Sequence, residues 1–295
     1  MKLKITPILR SCCEEDRPVT VLGPWLGEFG WELVYWQGFV RKYRLTHPEE
    51  YLVVIGRVGN SRLYELADEY WEIHIEDLES DMYLPRGSLD RKGLYQLVRI
   101  LKEQELLGDY LGVPDRLHER GWLEFGNPQF NQIFCRLKPT SSMSRFVRDK
   151  ISGHRTALLF PRLRRIAPEK NWTPEKWSEL AVLLRERGFL VVVGGGIGSE
   201  PELQAPVVKC WDFSVSSTCW MDFQLALVEI SSLIISGESG TGFLPGLCEK
   251  PGIVFGDPRE KKRYEETENI FQSRVKYITT RDPEPRQILS MVETI

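Results

Sequence analysis

Apolar runs and helix-like segments alternate along the first half of the chain. Three runs of apolar or alternating residues predict strands, at residues 19–22, 51–55 and 72–75. Helical periodicity lies between them, from Trp31 onward and again over residues 63–70. Residues 1–18 have no clear pattern, and residues 76–135 contain one predicted helix, residues 94–107. The order strand, helix, strand, helix, strand is typical of a parallel half-sheet.

The second half of the chain repeats this alternation. Its predicted strands are residues 156–160, 190–193, 207–208, 233–235, 253–255 and 277–279. Its clearest helix begins at Thr173, an N-cap residue followed by a proline and a glutamate, and ends before Gly188. Further helices are predicted at residues 144–151, 221–230, 243–249 and 285–295.

Two halves with the same alternation predict an α/β fold with two Rossmann-like domains, whose parallel sheets face each other across a cleft. We place an N-terminal domain at residues 1–140, a C-terminal domain at residues 150–282 and a terminal helix at residues 283–295. The polar segment 138–144 is the candidate linker, because it contains a proline and has no periodicity.

Composition narrows the class of protein. The 295 residues are 42% hydrophobic and 27% charged, which is typical of a soluble globular protein. The formal net charge of -3 gives no reason to expect a nucleic-acid partner. No apolar run reaches the roughly 20 residues that span a bilayer, and the N-terminus lacks the apolar core of a signal peptide. We therefore expect a cytoplasmic protein, with peripheral membrane contact if its acceptor is a lipid.

The 6 cysteines and 4 histidines are scattered along the chain. They form no CxxC motif and no pair at the spacing of metal ligands. We expect reduced thiols, no metal site and no cofactor.

The most informative stretch is residues 231–256, SSLIISGESGTGFLPGLCEKPGIVFG. It predicts a strand, a glycine-rich turn, a short helix and a second strand, and such a turn lies at the edge of a parallel sheet where ligands bind. Backbone amides at Ser239, Gly240, Thr241 and Gly242 could approach a phosphate. Glu238 would repel phosphate and is expected to bind neutral donors such as sugar hydroxyls. The turn therefore favours a nucleotide sugar, and the alternative is an ordinary βα turn.

A second glycine-rich loop, GPWLGEFGWE, follows the first predicted strand. Sugar transfer needs a base that takes the proton of the acceptor hydroxyl, and Glu28 is the candidate. The alternatives for Glu28 are acceptor binding and charge complementarity with the helix N-terminus. Glu32 follows at i+4 on the same helical face and is expected to be a first-turn acid or to support neighbouring site residues, with acceptor binding as the alternative. Arg57 and Asn60 lie on the next βα loop and are predicted to bind the acceptor.

Cationic residues follow the first strand of the second half. They are Arg162, Arg164, Arg165 and Lys170. Guanidinium groups suit phosphate oxygens, so one or two of these residues are expected to reach a diphosphate, and the alternative is a solvated basic loop. Gly195, in the loop GGGIG, is expected to flank the nucleotide base or ribose. The basic run at residues 259–263 is expected to be a solvated helix start.

Several of these segments resemble a known family. The run SSLIISGESG…GLCEKPGIVFGDP is similar to the donor-binding segment of the heptosyltransferase-like glycosyltransferases, with Gly237 and Glu238 in place of the usual Asn and Asp. Residues 157–196 are similar to the opening of that family's C-terminal domain, where Lys170 and Trp172 match. Gly27-Glu28 stands where the family has Gly-Asp.

The resemblance implies a GT-B fold, a base role for Glu28 and a donor contact for Lys170. It also implies inversion at the anomeric carbon. We therefore expect a glycosyltransferase that moves a sugar from a nucleoside-diphosphate donor to a glycan, glycolipid or small-molecule acceptor. No metal is required, because helix amides and cationic side chains can neutralise the leaving group. The alternatives are a nucleotide-sugar epimerase or hydrolase and a non-catalytic binding protein of the same fold.

Overall fold

The computed structural model describes residues 3–9, 17, 19–25, 28–75, 132–151, 153–163, 167–195 and 201–295. The predicted helix at residues 94–107 and the predicted phosphate ligands Arg164 and Arg165 lie outside the described residues. The chain divides into two compact units, Met1–Phe134 and Cys135–Ile295. No helix in the described part of the chain is both long enough and apolar enough to cross a bilayer.

The first unit contains a four-stranded sheet in the order β1-β4-β3-β2. The strands are β1 Leu3–Leu9, β2 Val19–Trp25, β3 Tyr51–Arg57 and β4 Glu69–Ile75. The three predicted strands, β2, β3 and β4, pair in parallel. β1 pairs with β4 in the antiparallel direction and lies where the sequence predicted no element. The six residues of β3 from Tyr51 to Gly56 are all buried, as expected of an inner strand covered on both faces.

The helix that follows β2 is interrupted. It consists of α1 Phe29–Trp31, a π-helical turn Glu32–Trp36 and α2 Gln37–Thr46. All five side chains of the π-helical turn are buried, so the amphipathic spacing predicted from Trp31 onward does not hold there. Such turns are rare and frequently occur at functional sites.

The predicted helix at residues 63–70 is wrong. A short 3-10 helix, Ser61–Tyr64, is followed by a turn, and β4 begins at Glu69. Asp68 explains the difference. Its backbone N–H donates to the carbonyl of Leu52 at 2.9 Å, and its carboxylate accepts the N–H of Leu52 at 2.8 Å. These bonds align the chain with β3 before β4 begins, so the sheet overrides the helical periodicity.

The second unit contains a six-stranded sheet in the order β10-β9-β8-β5-β6-β7. The strands are β5 Arg155–Phe160, β6 Phe189–Val193, β7 Val208–Lys209, β8 Leu233–Gly237, β9 Gly252–Phe255 and β10 Val275–Ile278. All five strand pairs are parallel. The predicted α/β class with parallel sheets is confirmed. The order reverses between β5 and β8, and the carboxyl edge at such a reversal is where ligands bind in open α/β sheets.

The helices of the second unit agree closely with the sequence pattern. They are α3 Ser141–Ile151, α4 Pro174–Glu186, α5 Trp220–Ile230, α6 Leu244–Leu247 and α7 Pro285–Val292. Thr173 caps α4 as predicted, because its hydroxyl accepts the N–H of Lys176 at 3.3 Å. The 3-10 helix Gly240–Phe243 directly precedes α6.

Segment 138–144, the candidate linker, is held on the second unit. The carboxylate of Asp222 accepts the N–H of Thr140 at 2.7 Å and its hydroxyl at 2.6 Å. The N–H of Leu137 donates to the carbonyl of Leu247 at 2.9 Å. Because Thr140 is fixed in this way, the polar residues from Ser141 onward can form the first turn of α3.

An aromatic core lies beneath the loop that follows β5. The rings of Trp172 and Trp177 meet edge to face at 4.9 Å, and both rings contact Phe255. The indole N–H of Trp172 donates to the carbonyl of Pro283 at 3.1 Å. Burial of these large side chains anchors Trp172, two residues after Lys170 in the chain.

Gly23 allows the irregularity in β2, and we predict that Gly23→Ala destabilises the protein strongly. Gly23 has a φ of 112°, and a Cβ there would lie 2.2 Å from the carbonyl oxygen of Ile55. We expect a loss of more than about 2 kcal/mol, the sum of backbone strain and a clash with a central strand. Gly153→Ala is the control, because Gly153 also has a positive φ but a Cβ there meets nothing within 4 Å. Urea unfolding of both variants measures the difference, and equal losses would contradict the prediction.

Candidate functional site

Glu238 lies in the turn after β8, at the reversal point of the second sheet. One oxygen of its carboxylate pairs with the ammonium group of Lys170. The other accepts the N–H of Asp257 at 2.8 Å and lies 3.6 Å from Nε of Arg281. We call these four residues, Glu238, Lys170, Asp257 and Arg281, the Glu238 cluster. The cluster links the loops that follow β5, β8, β9 and β10.

The charge of Glu238 is stabilised by its surroundings. Burial alone would raise the pKa of this carboxyl. The hydrogen bonds from Lys170 and from the N–H of Asp257, together with the charges of Lys170 and Arg281, lower it. The lowering prevails, so Glu238 is ionised at neutral pH. Its carboxylate is therefore the counter-ion of two cations, and the contact with sugar hydroxyls stays a prediction.

The backbone of the neighbouring turn packs closely against Glu238. A Cβ on Gly256 would lie 2.5 Å from Cβ of Glu238 and 2.5 Å from the hydroxyl of Tyr277. The N–H of Glu238 donates to the carbonyl of Phe255 at 2.8 Å, which continues the pairing of β8 with β9. Arg162, at the end of β5, donates from Nη1 to the carbonyl of Glu238 at 3.2 Å. Three of the predicted donor-site residues, Arg162, Lys170 and Glu238, are thus brought together.

The other predicted residues of this turn provide either side-chain hydroxyl groups or space for neighbouring side chains. The side-chain oxygens of Ser236, Ser239 and Thr241 lie within 2.8 to 3.1 Å of one another. At Gly242 the missing Cβ leaves room for the ring of Tyr264, which a Cβ would approach to 2.9 Å. Gly242 therefore serves packing within the protein, and Ser239, Gly240 and Thr241 are the more exposed residues of the turn.

Gly195 lies beyond the end of β6. Its φ is 122°, and its N–H donates to the side-chain oxygen of Gln224 at 3.0 Å. A Cβ on Gly195 would meet no atom of the described residues within 4 Å. At the preceding Gly194, a Cβ would lie 2.7 Å from the ring of Phe160. The position suits a loop that a ligand could approach, and the predicted contact with the nucleotide base or ribose stays a prediction.

In the first unit, Glu32 is a fully buried carboxyl in the π-helical turn. It accepts hydrogen bonds from the amide of Asn60 at 2.8 Å and from the hydroxyl of Tyr64 at 2.6 Å. Burial raises its pKa to about 7, although the hydrogen bond from Tyr64, the charge of Arg57 and the hydrogen bond from Asn60 lower it. Glu32 thus binds the loop that carries the other predicted acceptor residues, Arg57 and Asn60.

Two further side chains hold the same loop. The carboxylate of Glu72, which is also buried, accepts the N–H of Gly59 at 2.8 Å. The hydroxyl of Tyr70 donates to the carbonyl of Arg57 at 2.7 Å. The sequence pattern did not identify Tyr64, Tyr70 or Glu72 as residues that hold this loop. In the sequence they stand out only as polar groups within or next to apolar segments.

Glu28, the candidate base, is a half-buried residue at the N-cap of α1. Its backbone carbonyl accepts the N–H of Glu32 at 3.1 Å and the indole N–H of Trp25 at 3.4 Å. Its carboxylate makes no capping hydrogen bond to the described helix. The backbone of Glu28 is therefore fixed by hydrogen bonds that leave its carboxylate uninvolved, and the base role stays a prediction.

Within the described residues, no group of three or more histidine, cysteine, aspartate or glutamate side chains is arranged to hold a metal ion. The predicted donor residues lie in the second unit and the predicted acceptor residues in the first.

Comparison with known proteins identifies the fold. No protein-family model matches the sequence, and no curated protein is similar to it in sequence. Among solved structures, the chain is similar to ADP-heptose lipopolysaccharide heptosyltransferase II from Escherichia coli, with 14% identity and a TM-score of 0.60 over 94% of this chain and 98% of that one. It is also similar to a family 9 glycosyltransferase from Veillonella parvula, with 11% identity and a TM-score of 0.59 over 95% and 97%.

The fold is that of the heptosyltransferase-like glycosyltransferases. The resemblance predicted from the strand–turn–helix segments is confirmed at the level of the fold. At these identities, the comparison with heptosyltransferase-like glycosyltransferases concerns architecture, and the chemistry has to be argued from this chain's own residues.

Glu32 makes stability depend on pH, and we predict that Glu32→Gln removes that dependence. Its pKa of about 7 in the folded protein exceeds the ordinary value of 4.5. Its contribution to stability is therefore fully present below pH 4.5 and is lost as the pH rises through about 7. We expect the loss to reach about 3 kcal/mol between pH 4.5 and 8 in the wild type.

Chemical unfolding of the wild type and of Glu32→Gln at a series of pH values measures this difference. Glu175→Gln, at an exposed position in the first turn of α4, is the control. The prediction fails if Glu32→Gln retains the slope of the wild type.

Proposed function

We propose that the protein is a glycosyltransferase that moves a sugar from a nucleoside-diphosphate donor to the hydroxyl group of an acceptor. The acceptor would be a glycan, a glycolipid or a small molecule. The observation that carries the proposal is the convergence of Arg162 and Lys170 on Glu238 at the reversal point of the second sheet. Cations placed there can neutralise the charge that develops on a leaving diphosphate, so the reaction needs no metal.

The hydroxyls of Ser239 and Thr241 extend the proposed donor site. They lie on the same turn as Glu238 and are partly exposed. Hydroxyl groups can donate to phosphate oxygens or bind a sugar, so they suit a nucleotide sugar. Gly195 would flank the base or ribose from the neighbouring loop.

The first unit would bind the acceptor and provide the base. The Glu28 carboxylate takes the proton of the acceptor hydroxyl, whose oxygen attacks the anomeric carbon. The bond from that carbon to the diphosphate oxygen breaks, and the nucleoside diphosphate leaves with the electron pair. One displacement inverts the anomeric configuration. Arg57 and Asn60 would bind the acceptor on a loop that Glu32, Glu72 and Tyr70 hold in one conformation.

Thermal unfolding with nucleoside diphosphates tests the donor site. We expect one of ADP, GDP, UDP, CDP and dTDP, each at about 1 mM, to raise the melting temperature by several degrees, since a ligand at 100 times its dissociation constant stabilises by about 2.7 kcal/mol. Lys170→Met should lose most of this shift. Lys176→Met is the control, because Lys176 pairs with Asp282 and Glu284 on the surface. A flat panel with the wild type would count against a nucleotide-sugar donor.

Glu28→Gln tests the base. We expect sugar transfer to fall about 100-fold or more, with the affinity for the nucleoside diphosphate unchanged, because the amide cannot accept the proton. The assay follows the sugar from the radiolabelled donor onto purified glycans and glycolipids. Unchanged transfer by Glu28→Gln would show that another group is the base. Sugar released or rearranged by the wild type without acceptor would indicate a hydrolase or an epimerase.

A further inference from the structure

Arg281 is a cation that neither the sequence pattern nor the resemblance singled out. It lies in the loop after β10, the outermost strand on its side of the second sheet. Its side chain spans the distance to the turns after β9 and β8. There Nη2 pairs with the carboxylate of Asp257 at 3.1 Å, and Nε lies 3.6 Å from the carboxylate of Glu238. An arginine from an edge loop thus joins the residues at the reversal point of the sheet.

The guanidinium group of Arg281 has more donors than its carboxylate partners use. Its Nε atom is buried and faces the carboxylate of Glu238 at 3.6 Å, and its Nη2 atom bonds to Asp257. A guanidinium group has five N–H donors, more than these two contacts occupy. The side chain as a whole is about one third exposed.

The charges around Arg281 favour an anion. Asp257 is already bound through both carboxylate oxygens by Arg259. Asp257 thus pairs with both Arg259 and Arg281, and Glu238 lies between Lys170 and Arg281. Arg162 adds a further cation on the backbone carbonyl of the same residue. In these contacts among the described residues, four cations, Arg162, Lys170, Arg259 and Arg281, meet two carboxylates, Asp257 and Glu238. A ligand with two negative phosphates would balance the remaining positive charge.

We propose that Arg281 is a donor-site residue whose guanidinium group binds the diphosphate of the nucleotide sugar, with Glu238 holding it on one carboxylate oxygen and Lys170 on the other. The inference deepens the proposed function and rests on it. Its ligand class is a diphosphate, and the planar guanidinium group suits phosphate oxygens. Glu238 is then a positioning residue that fixes two cations.

The chain offers a matched control for Arg281. Arg259 is also an arginine that pairs with Asp257, but its side chain is 85% exposed and directed into solvent. It makes no ion pair with Glu238 among the described residues. If only the positive charge near Asp257 matters, Arg281→Gln and Arg259→Gln should weaken diphosphate binding equally. If the guanidinium group of Arg281 contacts the diphosphate, only Arg281→Gln should weaken it.

Calorimetric titration tests the proposal with three probes: the nucleoside diphosphate that the wild type binds best, the matching nucleoside without phosphates and inorganic pyrophosphate. We expect Arg281→Gln to weaken binding of the nucleoside diphosphate by about 10-fold or more, since a hydrogen bond to a charged group contributes about 1.5–3 kcal/mol. Binding of pyrophosphate should weaken similarly. Binding of the nucleoside should not change, and Arg259→Gln should stay within about 2-fold of the wild type for all probes.

Arg281→Lys keeps the charge and should recover part of the lost affinity, which a purely structural role would not predict. It also serves as the test variant if Arg281→Gln does not fold. The inference is overturned if Arg281→Gln, or Arg281→Lys in its place, binds the nucleoside diphosphate as tightly as the wild type. It is also overturned if the nucleoside alone weakens equally. A wild type that binds no diphosphate would overturn the proposed function together with this inference.

Discussion

The ion pairs of the Glu238 carboxylate organise the edge of the second sheet at which we propose that the donor binds. A buried charge costs several kcal/mol unless cations and hydrogen-bond donors surround it closely. Here Lys170, Arg281 and the N–H of Asp257 do so. Each of these partners comes from the loop after a different strand. The requirement to compensate one charge therefore determines where four loops lie.

The first unit also contains a buried carboxyl group, but its hydrogen-bond partners are uncharged. Glu32 is also buried, but its partners are the neutral groups of Asn60 and Tyr64, and its pKa is raised to about 7. The neutral form of the carboxyl is accordingly accessible near physiological pH. The two units thus hold their predicted substrate loops with an ionised carboxylate in one and, in the other, a carboxyl group whose pKa is about 7.

The parts of the fold that follow from local patterns could be predicted from the sequence. The Thr173 cap and the strands of the second sheet are set by adjacent residues, and they lie within two positions of the predicted bounds. Features set by distant partners were not predictable. The hydrogen bond from Asn60 to Glu32 joins residues 28 positions apart, and the antiparallel strand β1 pairs with β4, which follows it by more than 60 positions. The sequence pattern identified Glu238 as a candidate site residue. Its ion pairs could not be predicted, because they depend on the order of the strands in the sheet.

The strand order of the second sheet also affects when the proposed donor site, formed by Arg162, Lys170 and Glu238, can assemble during folding. Lys170 and Glu238 are 68 positions apart in the chain, and Arg162 contacts a carbonyl 76 positions away. Such contacts between distant parallel strands form slowly, because the entropy of closing long loops has to be overcome first. The loops acquire their arrangement only once β5, β8, β9 and β10 are side by side. The proposed donor site would then be among the last features that the second unit forms as it folds, so a partly folded chain would lack the paired cations of that site.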